Sequence, residues 1–167
     1  MSKLFDAFRK IDTFIFDVDG VFTDGGLLLA ENGDMLRRVT TRDGYALKKL
    51  VQSGYSTVII TGGNSTGVQK RFESMGVEQF YSGIHDKIGL YESLLEEGKI
   101  SNNNSCLYIG DDMPDLPVIK RVGLGCCPTD AIPEVKKVAD YISPYEGGKG
   151  CVRDVIEKVL KLNEQWF

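Results

Sequence analysis

The stretch Thr13-Phe14-Ile15-Phe16-Asp17-Val18-Asp19-Gly20 sets four consecutive apolar-rich positions directly before two aspartates spaced i, i+2. An unbroken run without polar alternation is what a strand buried on both faces requires, and the acidic residues mark where such a strand leaves its sheet. The arrangement recurs twice. Ser56-Thr57-Val58-Ile59-Ile60 breaks at Thr61-Gly62-Gly63, and Cys106-Leu107-Tyr108-Ile109 breaks at Gly110-Asp111-Asp112. Segments 45–51, 67–75, 88–95 and 116–122 carry apolar residues at helix period, with Gly54, Gly76 and Gly98 as stops after three of them. Residues 152–162 place Val152, Val155, Ile156, Val159 and Leu160 on one face of a closing amphipathic helix. The alternation predicts a Rossmann-like three-layer α/β/α fold on a parallel sheet. One segment departs from it. Residues 25–39 read as a β-hairpin turning at Asn32-Gly33.

A chain of 167 residues, 42% hydrophobic and 26% charged, has enough apolar surface for a folded core and reads as one domain over 1–167. Its 20 Lys and Arg against 24 Asp and Glu leave a net charge of −4, with no basic run to neutralise a row of phosphates, so nucleic acid is excluded as a partner. No stretch approaches the ~20 apolar residues of a membrane span, and residues 1–10 lack the apolar core of a signal peptide. The reading is a soluble cytoplasmic protein without a membrane partner. Cys106, Cys126, Cys127 and Cys151 form no C-x-x-C pair and read as reduced core thiols. The single His85 provides neither a metal cluster nor a Ser-His-Asp triad, which leaves the chemistry to carboxylates, lysine and hydroxyls.

Ligands of open α/β sheets bind beyond the carboxyl ends of the strands. Asp17, Asp19, Thr61, Asp111, Asp112 and Asp115 should therefore converge there, joined by Lys87 from a helix start. Singly, each has a structural use as a turn cap, strand end or solvated residue. Together, so many carboxylates stay ionised only beside a cation, and an all-oxygen ligand set favours Mg2+. A hydroxyl and an ammonium beside that cation form a phosphate cradle.

Asp17-Val18-Asp19-Gly20-Val21-Phe22-Thr23-Asp24, then Ile60-Thr61-Gly62, then Lys87, then Gly110-Asp111-Asp112-x-x-Asp115, in this order, resemble the four motifs of the haloacid dehalogenase-like phosphohydrolases. The resemblance spans residues 12–154. It implies catalytic residues Asp17, the nucleophile, Asp19, the acid/base, and Thr61 and Lys87, which hold the phosphoryl oxygens. It also implies that Mg2+ is held by Asp17, the Asp19 carbonyl and Asp111, with Asp112 and Asp115 orienting Lys87 and metal-bound water.

Only the hairpin and one helix separate Asp19 from Thr61, so no cap domain fits. Capless size, the hairpin, Thr41-Arg42-Asp43-Gly44-Tyr45 and Gly147-Gly148-Lys149-Gly150-Cys151 resemble the 3-deoxy-D-manno-octulosonate 8-phosphate phosphatases. That resemblance implies a phosphorylated keto-sugar acid substrate of lipopolysaccharide synthesis. It also implies a homotetramer in which a neighbour covers the site, and substrate contacts from Arg42, Asp43, Gly62, Arg71 and Lys149 in the tail and helix of 147–163. Gly63 and Ser74 depart from the pattern. Gly63 leaves room in the pocket, which keeps a nine-carbon nonulosonate 9-phosphate as the alternative substrate. Two readings from other classes are a receiver-like phospho-switch and a non-catalytic oligomerisation module. The late position of G-D-D-x-x-D and the presence of Asp19 argue against the first, and the intact motif set against the second.

Overall fold

The structure, a computed structural model, describes residues 3–167. Met1 and Ser2, at the start of the segment read as lacking a signal-type core, lie outside the described residues. In chain order the elements are α1 (Lys3–Arg9), β1 (Thr13–Phe16), β2 (Leu28–Leu29), β3 (Met35–Leu36), α2 (Thr41–Gln52), β4 (Ser56–Ile60), α3 (Thr66–Glu73) and β5 (Gln79–Tyr81). They continue with α4 (Lys87–Glu96), a 3-10 turn (Asn103–Ser105), β6 (Cys106–Ile109), α5 (Leu116–Ile119), β7 (Leu124–Cys127), α6 (Pro133–Lys136), β8 (Tyr141–Ile142) and α7 (Cys151–Leu162).

Six strands form one parallel sheet in the order β5-β4-β1-β6-β7-β8. β1 is central, paired in register from Thr13 against both Ser56 and Cys106. Its side chains alternate between two cores. Phe14 and Phe16 pack with Leu107, Leu47 of α2 and Val155 of α7, whereas Ile15 packs with Val58, Tyr108 and Tyr91 of α4. This is the expected α/β/α sandwich, and nothing resembling a cap separates β1 from β4. The loop after β1 runs toward β4 while β6 leads on toward β7. The chain therefore reverses its direction of travel across the sheet between β1 and β6, the place where such sheets open a crevice.

The predicted helices are present with shifted starts. Apolar period placed the first at 45, but Thr40 caps α2 by accepting the Asp43 amide at 3.1 Å, so the helix begins at Thr41. Segment 116–122 closes earlier than predicted, after the single turn of α5. Gly54, Gly76 and Gly98 follow α2, α3 and α4 with φ of 84°, 88° and 69°, as expected of helix stops. Cys126 and Cys127 belong to β7 and are buried, as are the other two thiols. The hairpin forms as expected, with Leu28 opposite Leu36 and Leu29 opposite Met35 around the Gly33 turn. α1, α6 and β8 are too short for periodicity to announce them.

Candidate active site

Each acidic group sits where its strand ends. Asp17 follows β1 and its amide still donates to Ile109 O at 3.0 Å, so the sheet holds the loop in place. Thr61 follows β4, and its hydroxyl oxygen accepts the Gly63 amide at 3.2 Å. Asp111, Asp112 and Asp115 follow β6. Asp86 caps α4 by accepting the Gly89 amide at 3.0 Å, which sets Lys87 as the first helical residue, facing inward and 5% exposed. Gly20, at φ +85°, lets the loop bearing Asp19 pass against Asp111. A Cβ there would lie 2.0 Å from Asp111 Oδ2.

At the floor, Lys87 Nζ lies 2.8 Å from Asp17 Oδ1 and 2.6 Å from Asp115 Oδ1. Asp115 also accepts Tyr108 OH at 2.6 Å and the amides of Asp111 and Asp112 at 3.0 and 3.2 Å. It thus ties the lysine to the loop carrying the other two acids. Tyr108 was not marked by the sequence reading, although a tyrosine in a fully buried strand needs a partner for its hydroxyl. Above the floor lies a cavity of about 400 Å³ lined by Asp17, Asp19, Gly25, Thr61, Gly62, Gly63, Ile84, His85, Lys87, Asp111, Asp112, Pro114 and Asp115.

Burial, then repulsion from Asp115, pushes the Asp17 carboxyl up to about 8, against the opposing attraction of Lys87. Burial followed by Asp115 and Asp112 pushes Asp111 up to about 7. Burial alone would lower Lys87, but Asp17 and Asp115 outweigh it and raise its pKa. Carboxyls forced upward in this way are what a divalent cation would relieve. Carboxylate oxygens of Asp17, Asp111 and Asp115 lie within 4.8 Å of one another. Asp115 is already saturated by its four donors, so Asp17 and Asp111 are the carboxylates that fit Mg2+. The Asp19 carboxylate is occupied by Arg37, with Nε 2.7 Å from Oδ1 and Nη2 3.1 Å from Oδ2. Both Asp19 side-chain oxygens are thus taken by the guanidinium.

The structure brings Asp17, Asp19, Thr61, Gly62, Lys87, Asp111, Asp112 and Asp115 to this cavity, and keeps four predicted substrate contacts away. Asp43 is fully buried and accepts from the Thr40 hydroxyl and the Arg153 amide, joining the starts of α2 and α7. Arg71 lies over Gly44 of α2. Arg42 and Lys149 line a separate depression with Tyr145 and Arg153, and Lys149 pairs with Glu146. Gly147 and Gly148 lie against another loop. They press on the Gly20 to Thr23 backbone of their own chain, the Gly148 amide donating to Val21 O at 2.9 Å. The room expected beside Gly63 is filled by the Arg37 guanidinium.

Comparison with known proteins agrees with this geometry. Residues 81–155 match the model of the haloacid dehalogenase-like hydrolases. The chain is 37% identical over 152 residues to the 3-deoxy-D-manno-octulosonate 8-phosphate phosphatase KdsC of Escherichia coli K12, covering 91% of this chain and 80% of that protein. A probable YrbI family phosphatase from Pseudomonas syringae pv. phaseolica superimposes with a TM-score of 0.93 at 37% identity, over 98% of this chain and 92% of that one. The 3-deoxy-D-manno-octulosonate 8-phosphate phosphatase of Moraxella catarrhalis, solved with magnesium, phosphate and KDO, superimposes with a TM-score of 0.92 at 33% identity, over 97% and 92%. With an aspartate pair after the central strand, a threonine, an inward lysine and an acidic loop all converging on one crevice, the chain belongs to the haloacid dehalogenase-like hydrolases and is a phosphatase of that family.

Proposed function

We propose that this chain is a Mg2+-dependent phosphomonoesterase that works through an aspartyl-phosphate on Asp17. Its substrate is 3-deoxy-D-manno-octulosonate 8-phosphate, hydrolysed in lipopolysaccharide synthesis. The observation that carries the mechanism is the buried Asp17 carboxylate at 2.8 Å from Lys87, with Asp19 two residues along the same loop over one cavity. An Asp17 oxygen attacks phosphorus and the P–O ester bond breaks, its electron pair leaving on the sugar oxygen. Asp19 in its acid form gives that oxygen a proton. Water then attacks phosphorus, Asp19 takes the proton it sheds, and the bond to Asp17 breaks to release inorganic phosphate. Asp19 returns to its acid form. Lys87 and Thr61 hold the phosphoryl oxygens, and Asp115 keeps Lys87 in place. When bound by Asp17, Asp111 and the Asp19 carbonyl, Mg2+ supplies the positive charge that offsets repulsion between nucleophile and phosphate.

The substrate reading is supported by relatives of that name at 37% identity over nine-tenths of the chain, and by a cavity large enough for a small sugar phosphate. The chain associates through its hairpin, where a neighbour covers the cavity that no cap closes. Leu27, Leu28, Leu29, Met35 and Leu36 are all exposed on that hairpin, Leu28 and Leu29 by 68% and 70%, an apolar patch of the kind that marks an interface. No helix among the described residues is long and apolar enough to cross a membrane.

The test is turnover by Asp17→Asn across a panel of octulosonate, nonulosonate and common sugar phosphates. The variant should stay folded by circular dichroism and lose about 10³-fold or more in kcat, the scale on which removal of a nucleophile acts. Undiminished turnover would remove Asp17 as nucleophile. Equal wild-type rates on every ester would remove the octulosonate assignment.

A further inference from the structure

Among the described residues, the carboxylates lining the cavity form ion pairs with two cations only, Lys87 and Arg37. Lys87 is spent at the floor between Asp17 and Asp115. Arg37 comes from the hairpin, directly after β3, and reaches the rim at Asp19 and Gly63. Its guanidinium forks onto both Asp19 oxygens, while Nη1 donates to Met35 O at 3.0 Å. The side chain is 5% exposed. The fork rests on Gly63. A Cβ at that position would lie 2.7 Å from Arg37 Nη2 and 3.2 Å from Asp19 Oδ2. A glycine there is what admits the guanidinium to the rim.

An eight-carbon keto-acid phosphate carries a second anion, its carboxylate, beyond the phosphate that Lys87 and the cation hold. Arg42, Arg71 and Lys149 of the same chain lie away from the cavity, whereas Arg37, which sits in the adjoining depression beside Asp24 and Leu36, meets the cavity at two of its lining residues, Asp19 and Gly63. We propose that Arg37 is the specificity residue that binds the substrate carboxylate, exchanging the Asp19 carboxylate for it when substrate enters. The inference rests on the reading of a carboxylate-bearing phosphate ester as substrate. The guanidinium trades one carboxylate for another, and Asp19, released as a carboxylate, takes a proton from water before it serves as the acid. A planar guanidinium matches a carboxylate through two parallel N–H···O bonds, and the substrate offers the same pair of oxygens that Asp19 offers in the free chain. The exchange also frees Asp19 to face the leaving oxygen only when the carboxylate is in place. Because Arg37 is carried by the hairpin, packing of the hairpin against a neighbour would set how far the guanidinium reaches.

The experiment measures the selectivity ratio, kcat/KM on octulosonate 8-phosphate and nonulosonate 9-phosphate divided by kcat/KM on arabinose 5-phosphate, which has no carboxylate. It compares the wild type with Arg37→Ala, Arg37→Lys and Gly63→Ala in the presence of Mg2+. Arg37→Ala should lower the ratio by about 10- to 100-fold, the scale of hydrogen bonds to a charged group. Arg37→Lys should recover part of it, having the charge without the fork. Gly63→Ala should lower it in the same direction by displacing the fork while the arginine is kept.

An equal fall on all esters in Arg37→Ala would overturn the proposal, because the arginine would then act through Asp19 alone. An unchanged ratio would overturn it by assigning the carboxylate to another cation. A wild type that does not favour carboxylate-bearing esters would also overturn it. A wild type that favours the nonulosonate over the octulosonate, with the ratio still lost in Arg37→Ala, would remove the octulosonate assignment and leave Arg37 confirmed.

Discussion

Asp115→Asn keeps the shape of the side chain and removes its charge, and the geometry sets what that costs. Asp115 is 1% exposed, and its two oxygens receive four donors: Lys87 Nζ and Tyr108 OH on Oδ1, both at 2.6 Å, and the amides of Asp111 and Asp112 on Oδ2. Asparagine has one oxygen and one NH2. Whichever way it turns, two buried donors face another donor. Each group left unsatisfied costs about 1–3 kcal/mol, and breaking one side of a buried ion pair costs about 3–5 kcal/mol. Two effects offset part of this. Lys87 keeps Asp17, and loss of the Asp115 charge relieves the repulsion that raises Asp17 and Asp111. The expected net loss is about 2–4 kcal/mol, read as a drop in the urea midpoint at unchanged slope. Tyr108→Phe removes a single donor and should cost about 0.5–1.5 kcal/mol. Asp115→Asn should also lower kcat, since Lys87 and the 110–112 loop lose their common anchor. A stability within about 1 kcal/mol of wild type, or a smaller loss than Tyr108→Phe, would refute the role of Asp115 as the buried hub.

Three further outcomes are expected. Without divalent cation, Asp17 at about 8 and Asp111 at about 7 hold protons in the folded state that the unfolded chain, at 3.8, has released, so both make stability fall as pH rises from about 4 to about 8. The melting-temperature gain from Mg2+ over chelator should therefore grow from about pH 5 to about pH 8, and a gain that shrinks over that interval contradicts the metal assignment. Gly147→Ala places a Cβ 2.1 Å from Gly20 O, so urea unfolding should show a loss of about 1–3 kcal/mol together with reduced turnover through the displaced Asp19 loop. Wild-type values on both measures would remove that contact from the account. Leu28→Glu with Leu36→Glu places like charges on paired, exposed hairpin positions, and sedimentation velocity should report a smaller assembly than wild type; an unchanged sedimentation coefficient would exclude the hairpin as the association surface.

The chain's own residue order determined the sheet, the layers and most of the catalytic floor. A buried strand needs an unbroken apolar run, and a group at its carboxyl end is positioned by the sheet whatever the loops do. Asp17, Thr61, Lys87 and Asp111 were therefore legible from strand ends and one helix start, and the missing cap from spacing alone. Other features needed the tertiary structure, because they depend on segments distant in sequence meeting across a few ångströms. Asp43 looks like a ligand in the linear chain, yet it is the buried tie between α2 and the start of α7, 110 residues away. Gly147 and Gly148 give no local sign in the linear chain that they let two backbones touch. Arg37 shows no motif and no helix or strand period. Only the fold-back of the hairpin brings it 18 residues along the chain to Asp19 and into the space that Gly63 leaves open. Local propensity and burial pattern are properties of neighbours in sequence, whereas a guanidinium finds its carboxylate only after the sheet has set where both loops lie.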